Sequence, residues 1–334
     1  MAPVSRHPGS VLAMVRRYEA AGFRAWPAAA VHYDGTWLVR LTAGHPAKRL
    51  NSVNPLDPGD TDHVAERIAR ASRRFDAYGR PLTFRMSPLS GQVLSKHLDE
   101  AGWSTPTPAP GWDIAHQIAH LAWTDDAAIL AATDAEAFGR ELEKAIAVIN
   151  TYVDDGAAEG AKAPPAELLE RWRAGRVALR DALRAFPEGE KVPWFGPPMS
   201  PTSMGTARFM ETWAHAQDVY EALGLEPPVT DRIKHVAHIG ARTRDFSFMT
   251  NSRPIPAEQF RVELVAPDGS LWTWGPEDAA QRVTGPAIDF CLLVTQRRHR
   301  DDLALVATGP DADEWLNIAQ AFAGPPGSGR EATV

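Results

Sequence analysis

Phe209-Met210-Glu211-Thr212-Trp213-Ala214-His215 lies inside a run from Thr202 or Ser203 to Leu223 that reads as one helix, stopped by Gly224 and by prolines at 227 and 228. An i, i+4 spacing puts the Glu211 carboxylate and the His215 imidazole on one face of that helix. The flanking Phe209, Met210, Trp213, Val219 and Tyr220 are apolar or aromatic, so little purely polar face is left on which to solvate the pair. Far upstream, Trp112-Asp113-Ile114-Ala115-His116-Gln117-Ile118-Ala119-His120 supplies a third candidate ligand. Two imidazoles and one carboxylate from facing helices make a three-ligand site for a divalent metal, with one position left open for substrate. Residue types alone leave the competing reading, a solvated helix surface, equally open.

Composition sets the frame. The chain has 334 residues, 44% hydrophobic and 23% charged, enough for two or three domains with their own cores. A single cysteine excludes a disulfide framework and a thiolate cluster for zinc or iron–sulfur, which fits a reducing cytoplasm. The amino terminus lacks an apolar signal segment, and no apolar run approaches the ~20 residues a bilayer needs, so a cytoplasmic protein with no membrane contact is expected. Residues 1–103 carry a net +5 and the remainder −12. The basic half owes much of its charge to Arg67, Arg70, Arg73 and Arg74, on a helix whose other side holds Val64, Ile68 and Phe75, which describes a solvated face. Neither aromatic-basic interleaving nor zinc-finger spacing supports nucleic-acid binding.

The first hundred residues alternate helix and strand. A helix is expected over residues 10–21, then a hairpin of 30–33 and 36–41 around Asp34-Gly35, a short strand near 50–53, a helix over 61–77, a strand over 82–86 and a helix over 92–101. Asp34-Gly35-Thr36-Trp37-Leu38-Val39-Arg40, followed by Arg49-Leu50-Asn51-Ser52-Val53-Asn54-Pro55-Leu56, resembles the amino-terminal half of the GNAT acetyltransferases. Acetyl-coenzyme A binding needs a glycine-rich loop between strand and helix to hold the pyrophosphate. The one similar glycine run, residues 324–329, follows a helix and reads as a flexible tail, so this module (residues 1–103) is expected to be incomplete and inactive.

Thr105-Pro106-Thr107-Pro108-Ala109-Pro110 marks the boundary, because alternate prolines favour an extended connector. Helices are then expected over 114–123 with Asp113 near its start, from Thr133 or Asp134 toward Tyr152, over 167–186, and over the run that opens this section. Gly111–Leu121 together with Glu211–Val219 resembles the DinB-like metal-binding fold of the mycothiol-dependent maleylpyruvate isomerases, and Thr105–Trp112, Val192–Ser200 and Gly285–Arg300 look like an actinobacterial metal-binding subfamily of that group. The resemblance implies a four-helix bundle over residues 104–250 whose metal ligands are His120, Glu211 and His215. It also implies mycothiol as a diffusible thiol cofactor. One departure is that the short segment over residues 92–103 takes the place of the family's long first helix, with residues 98–103 suiting either module.

After residue 255 the period changes to two. Residues 260–265 and 271–274 form a hairpin about Asp268-Gly269, and helices over 286–298 and 311–322 flank a strand over 303–308. A small α+β domain results (251–334), giving a multidomain α+β chain. Cys291, in an apolar run, reads as inert core. His116 and Asp218 are placed beside the metal, orienting ligands or pairing with neighbours, and His235 and His238 as structural. Trp112, Trp123, Trp194 and Trp213 are expected in the bundle core. Trp123, Arg208 and Arg297 are the candidate substrate-binding residues, with a helix-capping role for Arg297 as the alternative. The expected function is a zinc-dependent, mycothiol-dependent isomerase or S-transferase acting on a small electrophile. The alternatives are a non-catalytic metal-binding or interaction protein and an N-acetyltransferase. Oligomeric state has no signal in the sequence.

Overall fold

The computed structural model describes residues 8–94, 102–327 and 329–333. The chain divides into two compact units, Met1–Gly102 and Trp103–Val334.

In the first unit, α1 (Pro8–Ala25) precedes a three-stranded antiparallel sheet of β1 (Ala30–Asp34), β2 (Trp37–Leu41) and β3 (Ser52–Pro55), and α2 (Val64–Ala77) follows. The hairpin closes with Asp34 opposite Trp37, and Gly35 takes φ 59° there; a Cβ on it would lie 2.7 Å from the Asp60 carboxylate. Central β2 is buried along its length, and Trp37, Val39 and Leu41 pack with Val53, Ala71 and Phe75. The helix expected from residue 61 starts only at Val64. Asp60 is held back by Thr36 and by Arg67 at 2.8 Å, so residues 60–62 stay in the loop and His63 enters at φ 54°. The strand expected over 82–86 reduces to a single bridge, Val53 to Phe84. Of the helix expected over 92–101, residues 91–94 are helical and 95–101 lie outside the described residues, as does most of the 98–103 segment.

In the second unit, α3 (Ile114–Thr133), α4 (Ala135–Ala147), α5 (Tyr152–Gly160), α6 (Pro165–Ala185) and α7 (Pro201–Ala222) precede a small α+β region. Asp113, Asp134 and Ser200 cap α3, α4 and α7 by accepting backbone N–H bonds, each cap being worth ~1 kcal/mol. α3 runs well past Trp123, because its distal Ala127-Ala128-Ile129-Leu130-Ala131-Ala132 favours helix and Asp126 pairs with Arg171 on α6 at 2.6 Å. It packs against α4, α5, α6 and α7. Gly160 admits that approach: a Cβ there would stand 2.9 Å from the Ala119 methyl. The helix expected to reach Tyr152 breaks into α4 and α5 at Val148-Ile149-Asn150-Thr151, where β-branched residues weaken the helix and Thr151 N–H turns back to Val148 O.

Short helices α8 (Lys234–Arg242) and α9 (Arg244–Thr250) lead into a four-stranded sheet, order β5-β4-β6-β7, built from β4 (Phe260–Val265), β5 (Leu271–Trp274), β6 (Gln281–Pro286) and β7 (Val306–Thr308). β6 was not foreseen; it pairs parallel to β4 and antiparallel to β7. Its Gln281-Arg282-Val283-Thr284 alternates weakly, and Gly285-Pro286 disguises the end of the strand. α10 (Ala287–Val294) stops before residue 298 because Gln296 adopts φ 57°, which puts Arg297 beyond the helix. With α11 (Pro310–Ile318) it buries Phe290, Cys291 and Trp315 against the sheet. The segment after residue 328, expected to be a free tail, is tied down: Arg330 meets Asp218 at 2.5 Å and Thr333 hydrogen-bonds Asp302. No helix of the described residues is long and apolar enough to cross a membrane.

Candidate metal centre

α3 and α7 pack side by side, and the sequence places His116 and His120 on the first and a Glu/His pair on the second. The structure brings His120, Glu211 and His215 together, one ligand-capable atom from each lying within 4.8 Å of the others. Both imidazoles aim Nε2 at the same carboxylate oxygen: Glu211 Oε2 is 3.7 Å from His120 and 3.3 Å from His215. The rings stand 4.5 Å apart.

Hydrogen bonding fixes which ring nitrogen of His215 carries its proton. Nδ1 faces Gln117 Oε1, while the amide nitrogen of Gln117 donates to Thr107 Oγ1 at 2.9 Å and the Thr107 hydroxyl donates to Trp112 O at 2.9 Å. The chain of donors ends at a carbonyl, so the Gln117 amide has one orientation and His215 donates from Nδ1. Its Nε2 is left as a lone pair facing a carboxylate. Burial and neighbouring His120 push the His215 pKa down to about 3, so the ring is neutral. Burial pushes Glu211 up, but the contact of His120 and the charge of Arg208 oppose it and the carboxyl lies well below its ordinary value. The His215 lone pair and an ionised carboxylate converging in a buried space repel one another unless a cation lies between them. The donor set, two imidazole nitrogens and one carboxylate oxygen, suits zinc.

Arg208, one turn before Glu211, sits 3.6 Å from Oε1 with its guanidinium 5.2 Å from the Trp194 ring. Oε1 is thereby engaged, and Oε2 is the oxygen left toward the histidines. Arg208 Nε and Nη1 are buried and have no hydrogen-bond partner among the described residues, and neither has His120 Nδ1. Trp112 stacks on His215 with centroids 6.0 Å apart, and its indole N–H donates to Asp154 at 2.9 Å. Trp123 lies 6.0 Å from the His120 ring and edge-on to Tyr152.

Other sequence-selected residues fall outside the cluster. His116 pairs through Nδ1 with its own cap, Asp113, at 2.7 Å. Asp218 is 2% exposed and pairs with Arg297 at 3.0 Å as well as with Arg330; burial raises its carboxyl and the two guanidiniums oppose that. Arg297 also donates to Ala214 O and Thr295 O, which ties the end of α10 to the ligand helix beside His215. Trp213 packs on the α+β core rather than in the bundle, because two residues from Glu211 is the opposite side of a helix. Gln117 and Thr107 were missed. The only signal was Gln117 lying three residues before His120 within an apolar helix start.

A family model described as "Mycothiol maleylpyruvate isomerase N-terminal domain" matches residues 90–220, and one described as "Wyosine base formation" matches residues 256–308. Two Mycobacterium tuberculosis proteins, "Uncharacterized protein Rv0036c" of strain ATCC 25618 / H37Rv and "Uncharacterized protein MT0041" of strain CDC 1551 / Oshkosh, are each 56% identical over 238 residues, or 71% of this chain and 93% of theirs. Solved structures of the mycothiol-dependent maleylpyruvate isomerase and of a histidine-to-alanine mutant of it align over 65% of this chain and 92% of theirs, at 16% and 17% identity and TM-scores of 0.40 and 0.42.

Proposed function

The chain belongs to the family of the Mycobacterium tuberculosis proteins Rv0036c and MT0041, and we propose that it is a divalent-metal enzyme, with zinc at His120, Glu211 and His215, that uses mycothiol to isomerise or S-transfer a small electrophile in the cytoplasm. The observation that carries the metal is the pair of imidazole Nε2 atoms converging on one buried carboxylate oxygen, with the other His215 nitrogen committed to Gln117. The thiol rests on the match of residues 90–220 to the mycothiol maleylpyruvate isomerase N-terminal domain.

A bound dication supplies positive charge that lowers the pKa of a thiol or water, yielding a nucleophile at neutral pH. The protein's residues do the rest. Gln117 fixes the His215 tautomer; Arg208 occupies Glu211 Oε1 and leaves Oε2 as the ligand oxygen. Trp112, held by Asp154, lies stacked against the His215 ring. No side chain of this protein supplies the thiol: Cys291 is the one cysteine, it lies in the α+β core, and burial pushes its thiol far above the usual range. The amino-terminal unit has no pyrophosphate loop in its sequence, and we assign it no acetyl transfer.

The test is turnover of a panel of unsaturated electrophiles by intact, metal-stripped and Glu211→Ala protein, each with and without mycothiol. Activity is expected only where metal and thiol are both present. Equal rates in all conditions refute the proposal, and a silent panel with tight zinc binding leaves a metal-binding protein.

A further inference from the structure

A cavity of about 390 Å³ opens between the start of α8 and the edge strand β5, lined by Lys234, His235 and His238 from the helix and by residues 271–274 of the strand. Among the described residues β5 hydrogen-bonds only β4, and the register pairs Trp272 with Leu264 and Trp274 with Val262, so both indoles stand on the face turned to α8. Trp272 is buried beneath the Lys234 ammonium, which lies 5.4 Å from its ring. Trp274 Nε1–H donates to His238 Nδ1 at 3.1 Å. Only a lone pair can accept that bond, so His238 carries its proton on Nε2. Burial, with Arg242 and His235, lowers the His238 pKa and keeps the ring neutral.

The walls therefore offer an ammonium, an imidazole N–H, a second imidazole and two indole rings, with no carboxylate among the lining residues. Among the described residues Lys234 has no ion-pair partner. Asp268, whose carboxyl senses Lys234, is turned to the Ser270 N–H at 2.8 Å. Donors without an opposing acid call for an acceptor with negative charge, and indole walls call for a flat ring. The volume is at the lower end for small-molecule pockets, which run from roughly 300 Å³ upward, enough for one or two fused rings.

We propose that this cleft binds a small planar aromatic molecule carrying one acidic group, its ring against Trp274 and its anion at Lys234 and His238. The site shares no residue with the metal centre and does not depend on it. Two sources have this chemistry, aromatic carboxylates and nucleoside monophosphates.

Calorimetry of the full chain with 1-naphthoate, adenosine monophosphate and uncharged 1-naphthylmethanol tests it. One-to-one saturable binding of an acid is expected, with the alcohol at least about tenfold weaker, the factor of a 1.4 kcal/mol loss. Whichever acid binds tighter identifies the source. Lys234→Gln, at an exposed position, and Trp274→Leu should each weaken binding roughly tenfold. Glu211→Gln should leave it unchanged. Failure of both acids to saturate overturns the proposal, as does binding that Lys234→Gln leaves intact in protein with unaltered circular dichroism.

Discussion

His215 and His238 sit on helices of the same unit, each with Nδ1 engaged, yet they are opposite tautomers. His215 donates from Nδ1 to an amide oxygen and leaves an Nε2 lone pair inside the bundle; His238 accepts at Nδ1 from an indole and leaves an Nε2–H at the surface. One partner atom decides whether an imidazole helps hold a cation or an anion. The partner, more than the histidine, carries the functional information.

The sharpest way to break this contrast is to delete each ring. His215→Ala should abolish stoichiometric zinc binding, whereas His238→Ala should leave it untouched, both followed by metal analysis after dialysis. Zinc lost from both variants, or from neither, erases the distinction.

A smaller effect comes from the partner alone. Gln117→Leu keeps the volume but removes the acceptor for Nδ1–H, freeing the His215 tautomer. Loss of such an outer partner weakens metal affinity by roughly 10- to 100-fold. Competition with a chelator measures it, and unchanged affinity would show that the ligands hold themselves.

The smallest effect concerns the bundle's own acid. Asp125 lies on α3 beyond His120 and is 4% exposed, and burial raises its carboxyl to about 6 against the attraction of Arg208 and Arg176. A folded pKa above the unfolded ~3.9 lends stability that is whole below pH ~4 and lost as pH rises through 6. Asp125→Asn should therefore be more stable than its parent at pH 8, on the order of 1–3 kcal/mol, with the gap closing by pH 4 in urea titrations. The sheet-edge cleft has no such buried acid and should not feel the change.

Much of the fold was legible because its signals are local. The Asp34-Gly35 turn, the Thr105–Pro110 connector, the caps at Asp113 and Asp134 and the alternation in β4 and β5 each follow from a few neighbouring residues. The losses came where distant groups decide: His63 at φ 54° follows a loop in which Asp60 is claimed by Thr36, 24 residues upstream, and β6 exists because β4 and β7 offer it edges. Helical spacing brought Glu211 and His215 together on the page, and family likeness added His120. Gln117 was invisible because its role depends on Thr107, ten residues away through a proline-rich connector. The sequence offers Arg297 as a substrate-binding or helix-capping residue, whereas the structure pairs it with Asp218, 79 positions upstream, which no periodicity could match with it.

The Asp218 pairings also order events in time. α7 leaves the ribosome carrying a carboxylate three residues past His215, and Arg330, one of its two partners, follows 112 residues later. At 5–20 residues per second that interval is roughly 6–22 s. Until it has passed, α7 cannot close over Asp218 with its full complement of positive charge, so during synthesis this corner of the bundle is the last to be sealed.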